Sequence, residues 1–351
     1  MSNSETRLPG RPTAGPNRRN SIIVAILLAG TLLLSGLAGF IALRPSGVGE
    51  VSAASVLANC NGANAATCVG DSALSIAEKS GPAAGLDAVR MLLETRPDIR
   101  EGCHTVAHAV GNRFYERFGE DAIVPGHTWC SWGYYHGLMQ THSEDSTDGL
   151  VDYATDLCSK VDGRLTTDCM HGVGHAAYMA LRQIGPSLTV CEELTGELAA
   201  TCADAVIMEE LFLSPNGRLT SGFSPDDCLV SSNEDVVTGC ARGLASDHVQ
   251  NGRDLVSSCG MFDGKAYAAC VDGYGSSVAG SELSGYGAVS QSMIDSCAAE
   301  LGCTTGYGWI AYMYLIDTVR AEAACQRNFT GAGLSACTTS VRNAASRETL
   351  K

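Results

Sequence analysis

The chain has 351 residues, a formal net charge of −15 and a hydrophobic fraction of 45%, so it is too apolar for a disordered protein and long enough for one large or two ordinary domains. Its 38 acidic residues outnumber its 23 basic residues. This balance argues against a nucleic-acid partner, because phosphate binding depends on lysine and arginine.

The N-terminus combines a basic segment with a long apolar one. Residues 1–20 contain four arginines and one glutamate, a net charge of +3, which leaves −18 on the rest of the chain. Residues 21–43 carry no charge, and at ~1.5 Å per residue they can cross a hydrocarbon core of about 30 Å. By the positive-inside rule we predict a cytoplasmic basic tail, a single transmembrane helix that anchors the chain in the cell membrane, and a main domain outside the cytoplasm.

A cleaved signal sequence is the alternative for the same segment, because VSAAS at residues 51–55 resembles a cleavage region. In that case the protein is secreted. The rest of the predicted layout is a linker over residues 44–58, an extracytoplasmic domain over residues 59–340 and a polar tail over residues 341–351.

All sixteen cysteines lie after residue 59. An even number of cysteines in an oxidising compartment predicts disulfides, with a thiolate metal cluster as the second interpretation. The sequence has no C-x-x-C spacing, which removes the main support for a zinc ribbon or a thioredoxin-like site.

The order of the cysteines predicts local pairing. Seven pairs are separated by 6 to 12 residues: Cys60–Cys68, Cys158–Cys169, Cys191–Cys202, Cys228–Cys240, Cys259–Cys270, Cys297–Cys303 and Cys325–Cys337. Cys103 and Cys130 remain, and we expect them to bond to each other. The second cysteines, together with these two, have a mean spacing near 34 residues, which is the length of an αα-hairpin repeat.

Local signals agree with a helical fold. Pro82, Pro186 and Pro225 are placed as first-turn residues, and residues 83–95 and 202–213 have apolar side chains at helical spacing. Small residues lie near the third and fifth positions after many repeat cysteines, and the glycines three residues after the cysteine should allow close helix packing. We therefore predict an all-α fold, an αα-hairpin repeat array forming a solenoid or closed helical array, stapled by local disulfides and preceded by one transmembrane helix.

Histidines provide the main functional signal, because seven of the eight lie between residues 104 and 175. HTVAH and HGVGH each hold two histidines four residues apart, a spacing that places both imidazoles on one helix face. His108, His136 and His175 follow three successive repeat cysteines by five or six residues, so they should line one wall. The predicted metal ligands are His104, His108, His136, His171 and His175.

We expect the other notable polar and aromatic residues to have structural roles. We expect the remaining histidines in loops or at helix ends: His127, His142 and His248. We expect three acidic residues to be solvated surface groups, although they could offer a carboxylate to the histidine groove: Glu209, Glu210 and Asp247. We expect two tyrosines that flank His136 to pack in the core: Tyr134 and Tyr135.

The predicted function is a membrane-anchored extracytoplasmic protein with a histidine-rich centre for Zn, Cu or Fe, because nitrogen donors suit these metals once thiols are in disulfides. Metal-dependent hydrolysis or redox chemistry is open to such a centre. HTVAH lacks the glutamate of a zincin helix, so a metalloprotease is not expected. The alternative is a metal-free scaffold whose groove binds a peptide or partner protein, with histidines that pack or titrate near ~6.5.

Overall fold

The computed structural model describes residue 60 and residues 62–100, 102–162, 166–214, 219, 222–284, 289–315 and 317–349. The predicted tail, transmembrane helix and linker, residues 1–58, lie outside the described residues. The part of the chain that is described consists of helices and connecting loops and has no strand, which confirms the all-α prediction. None of its helices is both long and apolar enough to cross a membrane.

The described α-helices are numbered here in chain order. They are α1 Ala65–Ser80, α2 Pro82–Thr95, α3 Pro97–Arg100, α4 Cys103–Phe118, α5 Gly133–His142, α6 Leu150–Asp162, α7 Thr167–Leu181, α8 Ile184–Cys191, α9 Glu197–Leu213, α10 Pro225–Cys228, α11 Glu234–Gln250, α12 Leu255–Cys259, α13 Gly264–Ser284, α14 Gln291–Ala298, α15 Leu301–Leu315, α16 Thr318–Asn328 and α17 Gly331–Thr349. Two short 3-10 helices, Gly62–Asn64 and Gly119–Ala122, complete the described helical segments.

Successive long helices pack against one another. Helix α1 contacts α4, α4 contacts α5, and from α5 to α17 each odd-numbered helix contacts the next odd-numbered one. From α6 to α16, each even-numbered helix packs beside the longer helix that follows it. Large side chains such as Phe114, Leu138 and Tyr307 are fully buried in the core between these helices.

Helix starts follow the predicted signals. Pro82 and Pro225 are the first residues of α2 and α10, and a capping box between Ser224 and Asp227 precedes the second of these. Pro186 lies in the first turn of α8. The two helices predicted at residues 83–95 and 202–213 form within α2 and α9.

All eight predicted disulfides are formed, including Cys103–Cys130, and no described cysteine is free. The thiolate-cluster alternative is therefore wrong. In six of the pairs the first cysteine lies in the second half of an even-numbered helix, and the second lies in the first two turns of the long helix that follows. Each of these disulfides joins a short helix to its long neighbour.

Glycines bring the long helices into backbone contact. A Cβ atom at any of three such glycines would overlap the carbonyl oxygen of the cysteine in the next long helix: Gly174 with Cys202, Gly275 with Cys303 and Gly308 with Cys337. All three glycines lie five residues after the second cysteine of a disulfide. The glycines three residues after a cysteine are packed as closely, since a Cβ atom at Gly273 or Gly306 would overlap the carbonyl oxygen of Arg242 or Asp272, and the close packing expected from them is confirmed.

The last helix extends beyond the boundary expected at residue 340. Helix α17 continues to Thr349, through most of the segment for which a polar tail was predicted. Val341 and Ala344 are buried at 0% and 2% exposure. Because they are three residues apart, they continue the packed face of the helix past Cys337.

Candidate metal centre

The structure brings together all five histidines that were predicted as metal ligands. His104 and His108 lie on α4, His136 on α5, and His171 and His175 on α7. Because these three helices pack in succession, the imidazoles meet where they adjoin. The ring centroids of His108 lie 4.6 Å from His104, 5.4 Å from His136 and 5.3 Å from His175.

Four of the five form a group with the dimensions of a metal site. His104, His108, His136 and His175 each offer one ligand atom, and these four atoms all lie within 4.8 Å of one another. His136 and His175 are buried, at 1% and 0% exposure, whereas His104 and His108 are partly buried. The group therefore has one side closer to solvent.

Each of the four imidazoles is oriented by an acceptor from the next packed helix or the loop before it. The pairs are His104 Nδ1 with the Cys130 carbonyl at 2.8 Å, His108 Nδ1 with Gln140 Oε1 at 3.0 Å, His136 Nε2 with the Asp168 carbonyl at 2.6 Å, and His175 Nδ1 with Glu209 Oε2 at 2.7 Å. Since each partner is an acceptor, the facing ring nitrogen carries the proton. The other ring nitrogen of each neutral imidazole then presents a lone pair.

The unprotonated nitrogens of His104 and His108 face each other. His104 Nε2 and His108 Nε2 are 3.1 Å apart, and with both protons on Nδ1 neither has a hydrogen to donate. Among the described residues, His136 Nδ1 and His175 Nε2 are buried without a hydrogen-bond partner. A cation would satisfy all four lone pairs, and tetrahedral zinc with Zn–N bonds of about 2.0–2.1 Å places neighbouring nitrogens roughly 3.3 Å apart.

Burial keeps these imidazoles neutral. It lowers the pKa of His104, and it lowers the pKa of His108, His136 and His171 further, with the charges of neighbouring imidazoles adding to the effect. The pKa of His175 falls to about 3 for the same two reasons. Neutral imidazole is the form that binds a metal ion, so the site needs no deprotonation near pH 7.

Glu209 is a buried partner of the cluster. Its exposure is 7%, and that of Glu210 is 2%, so the expectation of solvated surface acids is wrong for both. Helix α9 is packed on α7 on one side and on α11 on the other, and this leaves these positions little solvent. Burial raises the pKa of Glu209, and its carboxyl group accepts a hydrogen bond from Nδ1–H of His175.

His171 lies at the edge of the four-histidine group. Its ring centroid is 4.7 Å from that of His175 and 5.6 Å from that of His136. Its Nδ1 donates to the carbonyl oxygen of Thr201 on α9 at 3.1 Å, the same arrangement as in the other histidines. The group whose ligand atoms lie within 4.8 Å does not include it.

The remaining candidates lie outside this group. Tyr134 and Tyr135 are fully buried and donate to the carbonyl oxygens of Ala122 and Val124, which confirms their core role. His127 lies in the loop before α5, His142 ends α5, and His248 lies in the last turn of α11, buried at 2% exposure: these are the three histidines predicted in loops or at helix ends. Asp247 is half-buried and accepts from Asn251 and from the Leu219 amide.

Comparison of the chain with protein-family models, with curated proteins and with solved structures finds no match. The function must therefore be argued from the chemistry of the site.

Proposed function

We propose that this protein binds one transition-metal ion through His104, His108, His136 and His175. The observation that carries the proposal is the convergence of four imidazoles, which offer ligand atoms within 4.8 Å of one another and each of which holds one ring nitrogen in an outer hydrogen bond. An outer hydrogen bond on every ligand is the usual arrangement of protein metal sites, because it fixes the ring and its tautomer. His171, the fifth predicted ligand, borders the ion without completing its shell.

The donor set selects the class of metal. Every described cysteine is in a disulfide, so soft thiolate ligands are absent from the described residues, and imidazole nitrogens suit Zn, Cu and Fe. The Glu209 carboxylate acts on His175 from outside the ligand shell. The 3.1 Å separation of the two Nε2 atoms is close to the value for tetrahedral zinc, and zinc is the metal we propose first.

Four protein ligands favour metal retention over hydrolysis. Catalytic zinc sites keep three protein ligands and leave a fourth position for water, whereas closed sites use four. The partly buried His104 and His108 provide a side from which the ion can enter. A hydrolytic or redox enzyme on this centre would have to release one histidine during turnover.

We further propose the setting of this centre. The successive packing of the long helices, the local disulfides and the recurring glycine contacts support an αα-hairpin repeat array. Formed disulfides suit an extracytoplasmic compartment, and the basic tail and apolar run of residues 1–43 support a single membrane anchor with its N-terminus in the cytoplasm.

Metal analysis of the purified full-length protein tests the function. We expect close to one equivalent of a single transition metal, and we expect the melting temperature to fall when a chelator removes it, because a bound ion stabilises the folded state. Less than about a tenth of an equivalent after incubation with Zn²⁺, Cu²⁺ or Fe²⁺, with melting unchanged by chelation, would contradict the proposal. That result would leave the metal-free scaffold, whose groove binds a peptide or partner protein.

A further inference from the structure

One short segment links the Cys103–Cys130 disulfide to two of the proposed ligands. Cys103 directly precedes His104 on α4, and Cys130 lies three residues before the start of α5, which carries His136. The carbonyl oxygen of Cys130 accepts a hydrogen bond from Nδ1–H of His104. The disulfide therefore ties together the backbone on both sides of this hydrogen bond.

The backbone that follows Cys130 is held in an unusual conformation. Cys130, Ser131 and Trp132 have φ angles of 56°, 52° and 64°, three consecutive left-handed residues that are not glycine. For residues with a Cβ atom this conformation costs energy and is normally adopted singly. Such a segment persists only where its surroundings impose it.

The contacts of this segment show what imposes it. The disulfide fixes its first residue, and the side chain of Trp132 is buried at 1% exposure at its end. The next residue, Gly133, lies so close to α4 that a Cβ atom there would be 2.8 Å from the His104 carbonyl oxygen. These contacts hold the start of α5, the helix that carries His136, against α4.

We propose that the Cys103–Cys130 disulfide is a positioning element of the metal centre, which holds the left-handed segment Cys130–Trp132 and through it sets His104 and His136. This inference rests on the proposed function and adds that metal affinity depends on one disulfide out of eight. Without that disulfide, the segment can relax, the Cys130 carbonyl turns away from His104, and two of the four nitrogens lose their alignment.

This disulfide also differs from the others in its access to solvent. Cys103 and Cys130 are both partly exposed. In six of the remaining pairs both cysteines are fully buried, and Cys60–Cys68 has one of each kind. Because a thiolate must reach a sulfur atom to exchange with it, a dithiol should reduce Cys103–Cys130 before the buried pairs.

The test compares Zn²⁺ and Co²⁺ affinities of the full-length protein with those of Cys103→Ser/Cys130→Ser, using Cys60→Ser/Cys68→Ser as the matched control. We expect the first variant to bind at least about tenfold more weakly, the lower end of the effect of losing outer-shell support, and the control to bind like the wild type. Adding Ser131→Gly to the first variant should recover part of the loss, about threefold or more, because glycine adopts the left-handed conformation freely.

Equal affinity of the folded Cys103→Ser/Cys130→Ser variant and the wild type would overturn the inference while leaving the proposed function intact. Absence of metal binding by the wild type would instead overturn the proposed function. If the variant does not fold, graded treatment with dithiothreitol replaces it. Two electrons and two protons pass from dithiothreitol, which is oxidised to its cyclic disulfide, to the protein disulfide. The two new thiols are blocked with iodoacetamide, and mass spectrometry identifies the opened pair. Metal affinity that is unchanged when Cys103 and Cys130 carry the label would also overturn the inference.

Discussion

Each histidine of the four-histidine group forms a hydrogen bond with an acceptor on the next packed helix or on the loop before that helix. His175 on α7 donates to Glu209 on α9, and His108 on α4 donates to Gln140 on α5. Of these two acceptors only the glutamate can carry a negative charge. A carboxylate behind an imidazole raises the basicity of the ligand and strengthens its bond to a metal ion.

The Glu209→Gln substitution should therefore weaken metal binding. It retains the size of the side chain but removes its charge, and we expect the Kd for Zn²⁺ to rise about 10- to 100-fold. The adjacent buried Glu210 supplies the control, since Glu210→Gln alters a neighbouring acid that is not the hydrogen-bond partner of His175. Competition titration with a chromophoric chelator measures both values, and equal Kd values for the two variants would assign Glu209 a purely structural role.

Substitution of the histidines separates ligands from neighbours. His108→Ala and His175→Ala each remove one of the four converging nitrogens, so both should lower metal occupancy at limiting Zn²⁺. His171→Ala removes an imidazole from the edge of the group and should leave one equivalent bound. Metal content measured after dialysis decides between these roles, and loss of the ion in His171→Ala would make His171 a ligand.

The metal-free protein should lose stability in acid. Burial lowers the pKa of all five imidazoles, whereas in the unfolded chain they titrate near ~6.5. Below that pH the unfolded state binds more protons, and the free energy of unfolding falls by up to about 1.4 kcal/mol per pH unit for each fully buried imidazole. The raised pKa of Glu209 acts in the opposite direction but is one group against five.

Unfolding of the metal-free protein followed from pH 7.5 to pH 5 tests this expectation. Stability should be nearly constant above about pH 6.5 and should decline below it. The loss of stability that His175 causes should continue to lower pH than the loss caused by an ordinary histidine, since the pKa of His175 in the folded state is about 3. A free energy of unfolding that does not change from pH 7.5 to pH 5 would show that the pKa values of the imidazoles are not lowered in the folded protein.

The sequence could predict which histidines assemble but not what orients them. The spacing of four in HTVAH and HGVGH, together with the cysteine period, was enough to place five imidazoles in one region. The acceptors for His104 and His136 are backbone carbonyl oxygens of Cys130 and Asp168, which every residue possesses, so no residue type marks them. Glu209 could be noticed by its position after Cys202, but its burial depends on how α9 packs between its neighbours.

At the scale of helices, the glycine contacts govern how closely neighbours approach. Gly308 on α15 lies against the Cys337 carbonyl of α17, so Gly308→Ala should force the two helices apart and destabilise the protein by about 1 to 3 kcal/mol. Gly185 on α8 has open space around its Cβ position, and Gly185→Ala should be neutral or slightly stabilising. Thermal melting compares them, and equal melting temperatures would argue against close packing as the role of Gly308.

Element boundaries show where sequence patterns lose information. The starts of α2 and α10 were predicted correctly from their prolines, because a helix tolerates proline only in its first turn. Helix α9 begins at Glu197, five residues before the predicted segment, and directly follows Gly196, which has a φ of 61°. A glycine alone does not predict where a helix begins. The extension of α17 to Thr349 depends on burial of Val341 and Ala344 against other helices, which a local pattern does not contain.

At the scale of the whole molecule, residues 21–43 should decide where the protein resides. We expect the full-length chain to sediment with membranes and to resist extraction by alkaline carbonate, because an uncharged 23-residue segment inserts stably into a bilayer. A chain lacking residues 1–43 should not remain with the membrane. If cells that express the full-length chain instead release a shortened product into the medium, the N-terminal segment is a signal sequence that is cleaved.

In the proposed centre, one ion is held by imidazole nitrogens from three helices that pack in succession, α4, α5 and α7. X-ray absorption spectroscopy of the zinc-loaded full-length protein tests it most directly. We predict a first shell of four nitrogen neighbours at about 2.0–2.1 Å, with the outer-shell scattering of imidazole rings and no sulfur at about 2.3 Å. A sulfur shell, or a shell of oxygen atoms without imidazole scattering, would contradict the four-histidine centre.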